Sequence, residues 1–244
     1  MTIRQTAISA SLVLCAAVSA QDSLTTSIGY DLTAETSVGT GYWNAYQLVA
    51  NRYHAVGTRQ NTASLRGAVS LEQPLGRGWT LSSKIDAIAS VHADHGLFLQ
   101  QCFANIGYDG FFLELGSREQ RQVVRNDLLS AGSFVKGVNA KPVPQVHFGT
   151  SDFWTVPFTA GWLQAHFDFG YGKFLDSGYK EELFGQAPDI NHIYATGVLC
   201  HQKHLYLRSN PGKRIFGVAG IEHMVLFGGT GYVYENGVTT AKEK

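Results

Sequence analysis

The chain carries no net charge: its 244 residues hold nineteen Lys and Arg against nineteen Asp and Glu, and only 16% of positions are charged. Nucleic-acid binding rests on neutralising phosphates with a basic surface, so this balance argues against a nucleic-acid partner. It also gives no polybasic patch for a membrane surface. Beyond the first twenty residues there is no apolar run of 18 or more, which excludes a helical membrane protein. Cysteine and methionine are scarce, at three and two residues. Disorder is excluded by a hydrophobic content of 44%.

What the chain has in quantity is glycine and aromatics, with 27 Gly, 14 Phe, 11 Tyr and 4 Trp. That composition fits many strands and turns. A transmembrane β-barrel stays open as an architecture, because strands that alternate apolar and polar residues average to a neutral hydropathy.

Residues 1–20 have the layout of a secretory signal peptide: Arg4, an apolar stretch over 7–18, and the small residues Val18-Ser19-Ala20 before Gln21. Export with cleavage is therefore expected, leaving 21–244 as the mature chain. Cys15 follows Leu14 where a lipoprotein signal would place a small residue, so it belongs to the removed segment. Cys102 and Cys200 remain in strand-like stretches, and an exported compartment permits a disulfide that their spacing does not indicate.

The rest of the chain alternates. Over 63–71 the odd positions Ala63, Leu65, Gly67, Val69 and Leu71 face one way and Ser64, Arg66, Ala68 and Ser70 the other. The pattern resumes over 81–93 after the turn signal at 74–78, giving a run longer than the usual soluble strand of about 5 or 6 residues and long enough for the about 9 to 11 that cross a bilayer. Strands are expected over 97–108 and 111–116, joined by Asp109-Gly110, a dipeptide suited to a tight hairpin. Further strands are expected over 163–171, 193–200, 205–208 and 215–227, with His201-Gln202-Lys203-His204 read as a hairpin turn. The count comes to about 8 to 10 strands by this alternation. Two stretches depart from it: 42–52 has near-helical spacing, and 117–144 reads as a loop with a helical turn or an excursion into a barrel lumen.

Catalytic and metal chemistry find little support. Metal sites need three or four convergent ligands, and His92-x-x-His95 and His201-x-x-His204 are isolated pairs. HExxH, GxSxG and the phosphate-binding loop are absent. Glu181-Glu182 diverge on a strand or a helix, and Glu222-His223 offers one carboxylate, so no glycosidase pair is formed. The expectation is a protein that is not an enzyme and uses no cofactor or metal. Carbohydrate binding is better supplied, because aromatic faces stack on sugars and arginines bind acidic groups. Trp43, Trp79, Trp154, Trp162, Arg118, Arg121 and Arg125 are of the right types, with Arg118, Arg121, Arg125, Trp154 and Trp162 as the candidate polysaccharide-binding set. For each Trp the competing role is an interfacial girdle.

Several strings, in order along the chain, resemble the capsule assembly Wzi family: Tyr42-Trp43, Ala50-Asn51-Arg52-Tyr53, Asp127-Leu128-Leu129-Ser130-Ala131-Gly132, Asn139-Ala140-Lys141-Pro142-Val143-Pro144-Gln145-Val146, Val156-Pro157-Phe158-Thr159, Gly161-Trp162-Leu163-Gln164, His204-Leu205-Tyr206-Leu207-Arg208 and Gly220-Ile221-Glu222-His223. The resemblance implies an antiparallel outer-membrane β-barrel of about 18 strands, within the range of bacterial barrels, with a short helical element near the N-terminus to which 42–52 would belong. It implies a lectin-like role in holding capsular polysaccharide at the cell surface, with capsular polysaccharide and outer-membrane lipid as partners and a monomeric barrel. At about half the length of such a barrel, the chain is expected to be its N-terminal portion, a truncated product or a smaller closed barrel. The alternatives are a passive outer-membrane pore and a soluble periplasmic β-protein that binds or hydrolyses carbohydrate.

Overall fold

The computed structural model describes residues 8–19, 25–41, 43–93, 96–120, 124, 135, 139–175, 192–235 and 238–243. The protein is all-β and antiparallel, and it divides into two units, Met1–Pro142 and Val143–Lys244.

The first unit is a meander of β1 (Ile8–Ser19), β2 (Ser27–Val38), β3 (Thr62–Gly76), β4 (Trp79–Val91), β5 (Leu97–Tyr108) and β6 (Phe111–Ser117), each pairing with the next. Its turns follow the local chemistry. Arg77 and Gly78 take φ of 52° and 83°, and Asp109 and Gly110 take 47° and 84°. Two consecutive left-handed residues match the right-handed twist of the flanking strands, which is why a Gly stands second in both turns. Within the segment read as an export signal, residues 8–19 form β1, in register with β2 from Ile8↔Val38 to Ser19↔Ser27.

In the second unit, β7 (Gln145–Thr150), β9 (Leu163–Lys173), β11 (Leu199–Ser209) and β12 (Gly217–Phe227) form one sheet, and the short β8 (Trp154–Thr155) also pairs with β9. A separate three-stranded sheet orders β10 (His192–Thr196), β13 (Thr230–Glu235) and β14 (Val238–Glu243). Among the described residues no closed barrel is formed. Among the described residues the strand count exceeds the expected 8 to 10, because β1, β2, β7, β8, β13 and β14 lie outside the segments read from the alternation.

Two sequence expectations change. Residues 201–204 are not a turn but the middle of β11. Gln202 and His204 are buried while Lys203 and Leu205 are exposed, so the polar run is one inward face crossing an outward one. Over 42–52 the helical spacing yields a single helical turn, Tyr46–Val49. Ala45 at its start provides no side-chain cap, and the first turn has no acidic residue and the last no basic one, so nothing extends it.

Polarity in both sheets is inverted relative to a soluble fold. In the first unit the buried polar side chains include Ser37, Gln60, Thr62, Asp86, Gln100, Gln101 and Glu114, against the hydrophobic Val56, Ala68 and Ile88. The opposite face exposes Tyr30, Leu32, Leu65, Val69, Ile85, Val91, Leu97, Leu99, Leu113 and Leu115. In the second unit Gln145, His147, Thr150, His166, Gln202 and His204 are buried, while Val146, Phe148, Tyr171, Leu205, Leu207 and Ile221 are exposed. Register holds these sets together: Tyr30↔Val69↔Ile85 run across the outer face and Asp31↔Ala68↔Asp86↔Gln101 across the inner one.

Candidate functional site

The inner face of the first unit carries an ionic network that the alternation of β3 and β4 places one strand apart. Arg66 donates through Nε to Asp86 Oδ1 at 2.9 Å and through a terminal nitrogen to Asp86 Oδ2 at 2.6 Å. The same terminal nitrogen reaches Glu119 Oε1 at 2.8 Å. Asp86 is fully buried, so the bidentate arginine and the Gln101 amide, at 3.0 Å, supply the donors that water otherwise would. Gln101 also accepts from the Glu119 backbone N–H at 3.1 Å. Gln100 donates to Glu119 Oε1 at 2.8 Å and to the Tyr53 carbonyl at 2.9 Å.

The long connection between β2 and β3 is fastened to this face. The Asn44 amide donates to the carbonyls of Gly57 and Arg59, and Gln60 donates to the Trp43 carbonyl. The Tyr53 hydroxyl donates to the Gln120 carbonyl at 3.0 Å, and the Asn51 N–H donates to Asn139 Oδ1 at 2.5 Å. Asn51, Tyr53 and His54 all hold positive φ, 60°, 52° and 64°. Left-handed backbone is unfavourable for an aromatic residue and persists only where surroundings over-determine it. Between this connection and the sheet lies a cavity of about 530 Å³, lined by Asp31, Thr33, Glu35, Asn51, Arg52, Tyr53, Ala55, Val56, Ser64, Arg66, Ala68, Lys84, Ile88 and Glu119. That volume lies within the range of small-molecule sites. Beside the connection, Lys141 sits 4.8 Å from the centre of the Phe98 ring, and burial lowers its pKa.

The inner face of the second unit is organised around one carboxylate. Asp168 on β9 meets His147 Nε2 of β7 at 3.2 Å, His166 Nε2 of its own strand at 3.6 Å and His204 Nδ1 of β11 at 2.9 Å. The Thr150 hydroxyl lies 2.9 Å from His166 Nδ1, and the His166 ring stacks on Tyr206, whose hydroxyl donates to Glu222 on β12. Next to this group Gly170 lets Gln145 and Gln202 pack close, since a Cβ there would lie 2.6 Å from Gln145 Oε1 and 3.0 Å from Gln202 Cγ. The imidazole nitrogens point at a shared anion rather than at a common vacant point, and no group able to hold a metal occurs among the described residues.

No protein-family model, curated protein or solved structure matches the chain.

The candidate sugar-binding residues are divided between the two units and residues outside those described. Arg118 donates to Glu114 at 2.8 Å and lies 4.6 Å above the Phe103 ring, so its charge is engaged within the first unit. Arg121 and Arg125 lie outside the described residues. Trp154 is on β8 and Trp162 in the turn before β9, both in the second unit, and Trp162 is more than half exposed. His95 also lies outside the described residues, and His92 follows β4 at φ 58°. His201 and His204 point to opposite faces, His201 packing among Phe169, His223 and Phe227 on the outer side. Cys102 is exposed and Cys200 buried, and they form no disulfide. The ionic network and the His-Asp group escaped the sequence reading. The one signal for them was a charged or histidine residue recurring on the same phase of neighbouring strands, as with Arg66 and Asp86.

Proposed function

We propose that this protein is part of an outer-membrane β-barrel that organises capsular polysaccharide at the cell surface by lectin-like binding, after export through a cleaved signal peptide. The observation that carries the membrane part is the inverted burial: apolar side chains are exposed over many strands while charged ones are enclosed. A soluble monomer rarely exposes contiguous apolar surface beyond a few hundred Å², whereas a barrel in lipid presents an apolar band with a polar interior. Strands of 11 to 15 residues are sufficient to cross a bilayer. Aromatic pairs at strand ends support the same reading. Trp79 and Tyr108, 4.6 Å apart beside the two hairpin turns, suit a membrane interface. Tyr171 and Phe227, 5.9 Å apart at one end of β9 and β12, suit it equally.

The capsule part rests on the resemblance of the ordered strings, several of which fall at structural positions. Asn51 and Tyr53 lie in the strained connection, Trp162 at the entry to β9, and Tyr206 and Glu222 in the inner face of the second unit. Membrane fractionation of expressing cells tests the membrane part, with the protein expected in the outer-membrane fraction and extracted only by detergent. Recovery in the soluble periplasmic fraction would overturn it. Capsule retention tests the rest: cells lacking the protein should release polysaccharide into the medium, and undiminished retention would refute the role.

A further inference from the structure

Charge pairing inside the cavity of the first unit bears on what it can hold. Among the described residues, every cation in its wall already faces a carboxylate. Arg66 is shared between Asp86 and Glu119, Lys84 stands 3.5 Å from Asp31, and Arg52 stands 3.7 Å from Glu35. Counting Asp86 behind Arg66, four carboxylates meet three cations. Among these described groups an anionic ligand would find no cation in surplus and would have to displace a carboxylate from its partner. A neutral ligand rich in hydroxyl groups meets a different wall. Carboxylate oxygens accept from vicinal hydroxyls, while the Asn51 amide, the Arg52 guanidinium and the Thr33 and Ser64 hydroxyls offer donors.

Gln100 adds an independent observation. It is fully buried, its amide nitrogen is spent on two residues of the wall, Tyr53 and Glu119, and its Oε1 has no partner among the described residues. A buried acceptor left in this state, behind two residues that line the cavity, is costly unless something donates to it.

We propose that this cavity binds a neutral, hydroxyl-rich sugar unit and discriminates against uronic-acid sugars. The inference rests on the polysaccharide-binding reading and narrows it, since arginine-rich chemistry of the Arg118 type would select acidic sugars instead.

The test uses the full chain folded in detergent, applied to an array of neutral and uronic-acid oligosaccharides. Neutral members should bind, and uronic-acid members should bind at least tenfold more weakly. Glu35→Gln, which keeps the side-chain shape, and Thr33→Val should each weaken neutral binding about tenfold while leaving the unfolding midpoint in urea close to that of the parent. Tighter binding of uronic-acid members would overturn the proposal while leaving the polysaccharide role standing, and so would neutral binding unmoved by both substitutions. Binding of neither class would overturn the proposal and the lectin-like reading together.

Discussion

The two units enclose polar groups in different ways. In the first, permanent charges are matched: an arginine bridges two carboxylates, and glutamines fill the remaining donor positions. In the second, a single carboxylate is held by three imidazoles from three strands, with a threonine and a tyrosine behind them. Each inner face meets the same constraint, that a buried polar group must find a partner. The first unit meets it with groups that lose a buried charge's compensation when one is removed. The second distributes the load over several neutral-capable donors, so any one of them matters less. The outer faces differ too. That of the first unit is apolar along its strands, whereas that of the second carries His201, Lys203 and His223 among Phe169 and Phe227.

Breaking the ionic side of this comparison should have the largest effect. Arg66→Leu strands fully buried Asp86 without its cation and is expected to cost about 3 to 5 kcal/mol, read as a lowered urea midpoint of the refolded protein. A cost below about 1 kcal/mol would mean that the network is solvated. Next comes the outer face of the first unit. Ile85→Lys places a charge on an exposed apolar position and should cost about 2 to 4 kcal/mol in a lipid-folded protein, measured as loss of insertion into vesicles. In a water-soluble protein the same exposed substitution would stay within about 0.5 kcal/mol, so this result separates the two readings of the exposed face.

The histidine side should yield less. Asp168→Asn keeps one acceptor and loses the charge around which three imidazoles gather, with an expected cost of about 1 to 3 kcal/mol in the same unfolding assay. Were it to match Arg66→Leu, the contrast between concentrated and distributed polar burial would fail. The smallest effect is expected at Lys84→Gln, which removes a part-exposed pair at 3.5 Å and should cost under about 1 kcal/mol, shrinking further in high salt.

Much of the strand architecture was legible in sequence. The alternation over 63–71 and 81–93 and the Asp109-Gly110 turn gave β4, β5 and β6 nearly to their ends, whereas β3 continues to Gly76, through the first part of the stretch 74–78 read as a turn. The misreading of 201–204 has a physical cause. Polar residues in a run look like a turn when solvent is assumed to be their destination, yet Gln202 and His204 are enclosed. Arg118 shows a related point, since residue type gives chemistry but not the partner: Glu114 has taken its guanidinium. The Asp168 group was hidden because its histidines come from β7, β9 and β11, separated along the chain and joined only by strand register.

By itself the sequence determined that this chain is made of two-faced strands: a side-chain period of two is local, and the pattern of apolar and polar residues records it directly. It also determined the tight turn at Asp109-Gly110, because positive φ favours Gly and Asp at such positions. Which face turns inward was decided only by the tertiary structure. Alternation is symmetric under exchange of the two faces, and only the assembled sheet, with the 43–61 connection folded over one side, shows charge enclosed and leucine exposed. The pairing of Arg66 with Glu119 and of Asp168 with three histidines was decided there as well, since long-range register sets which inward residues meet.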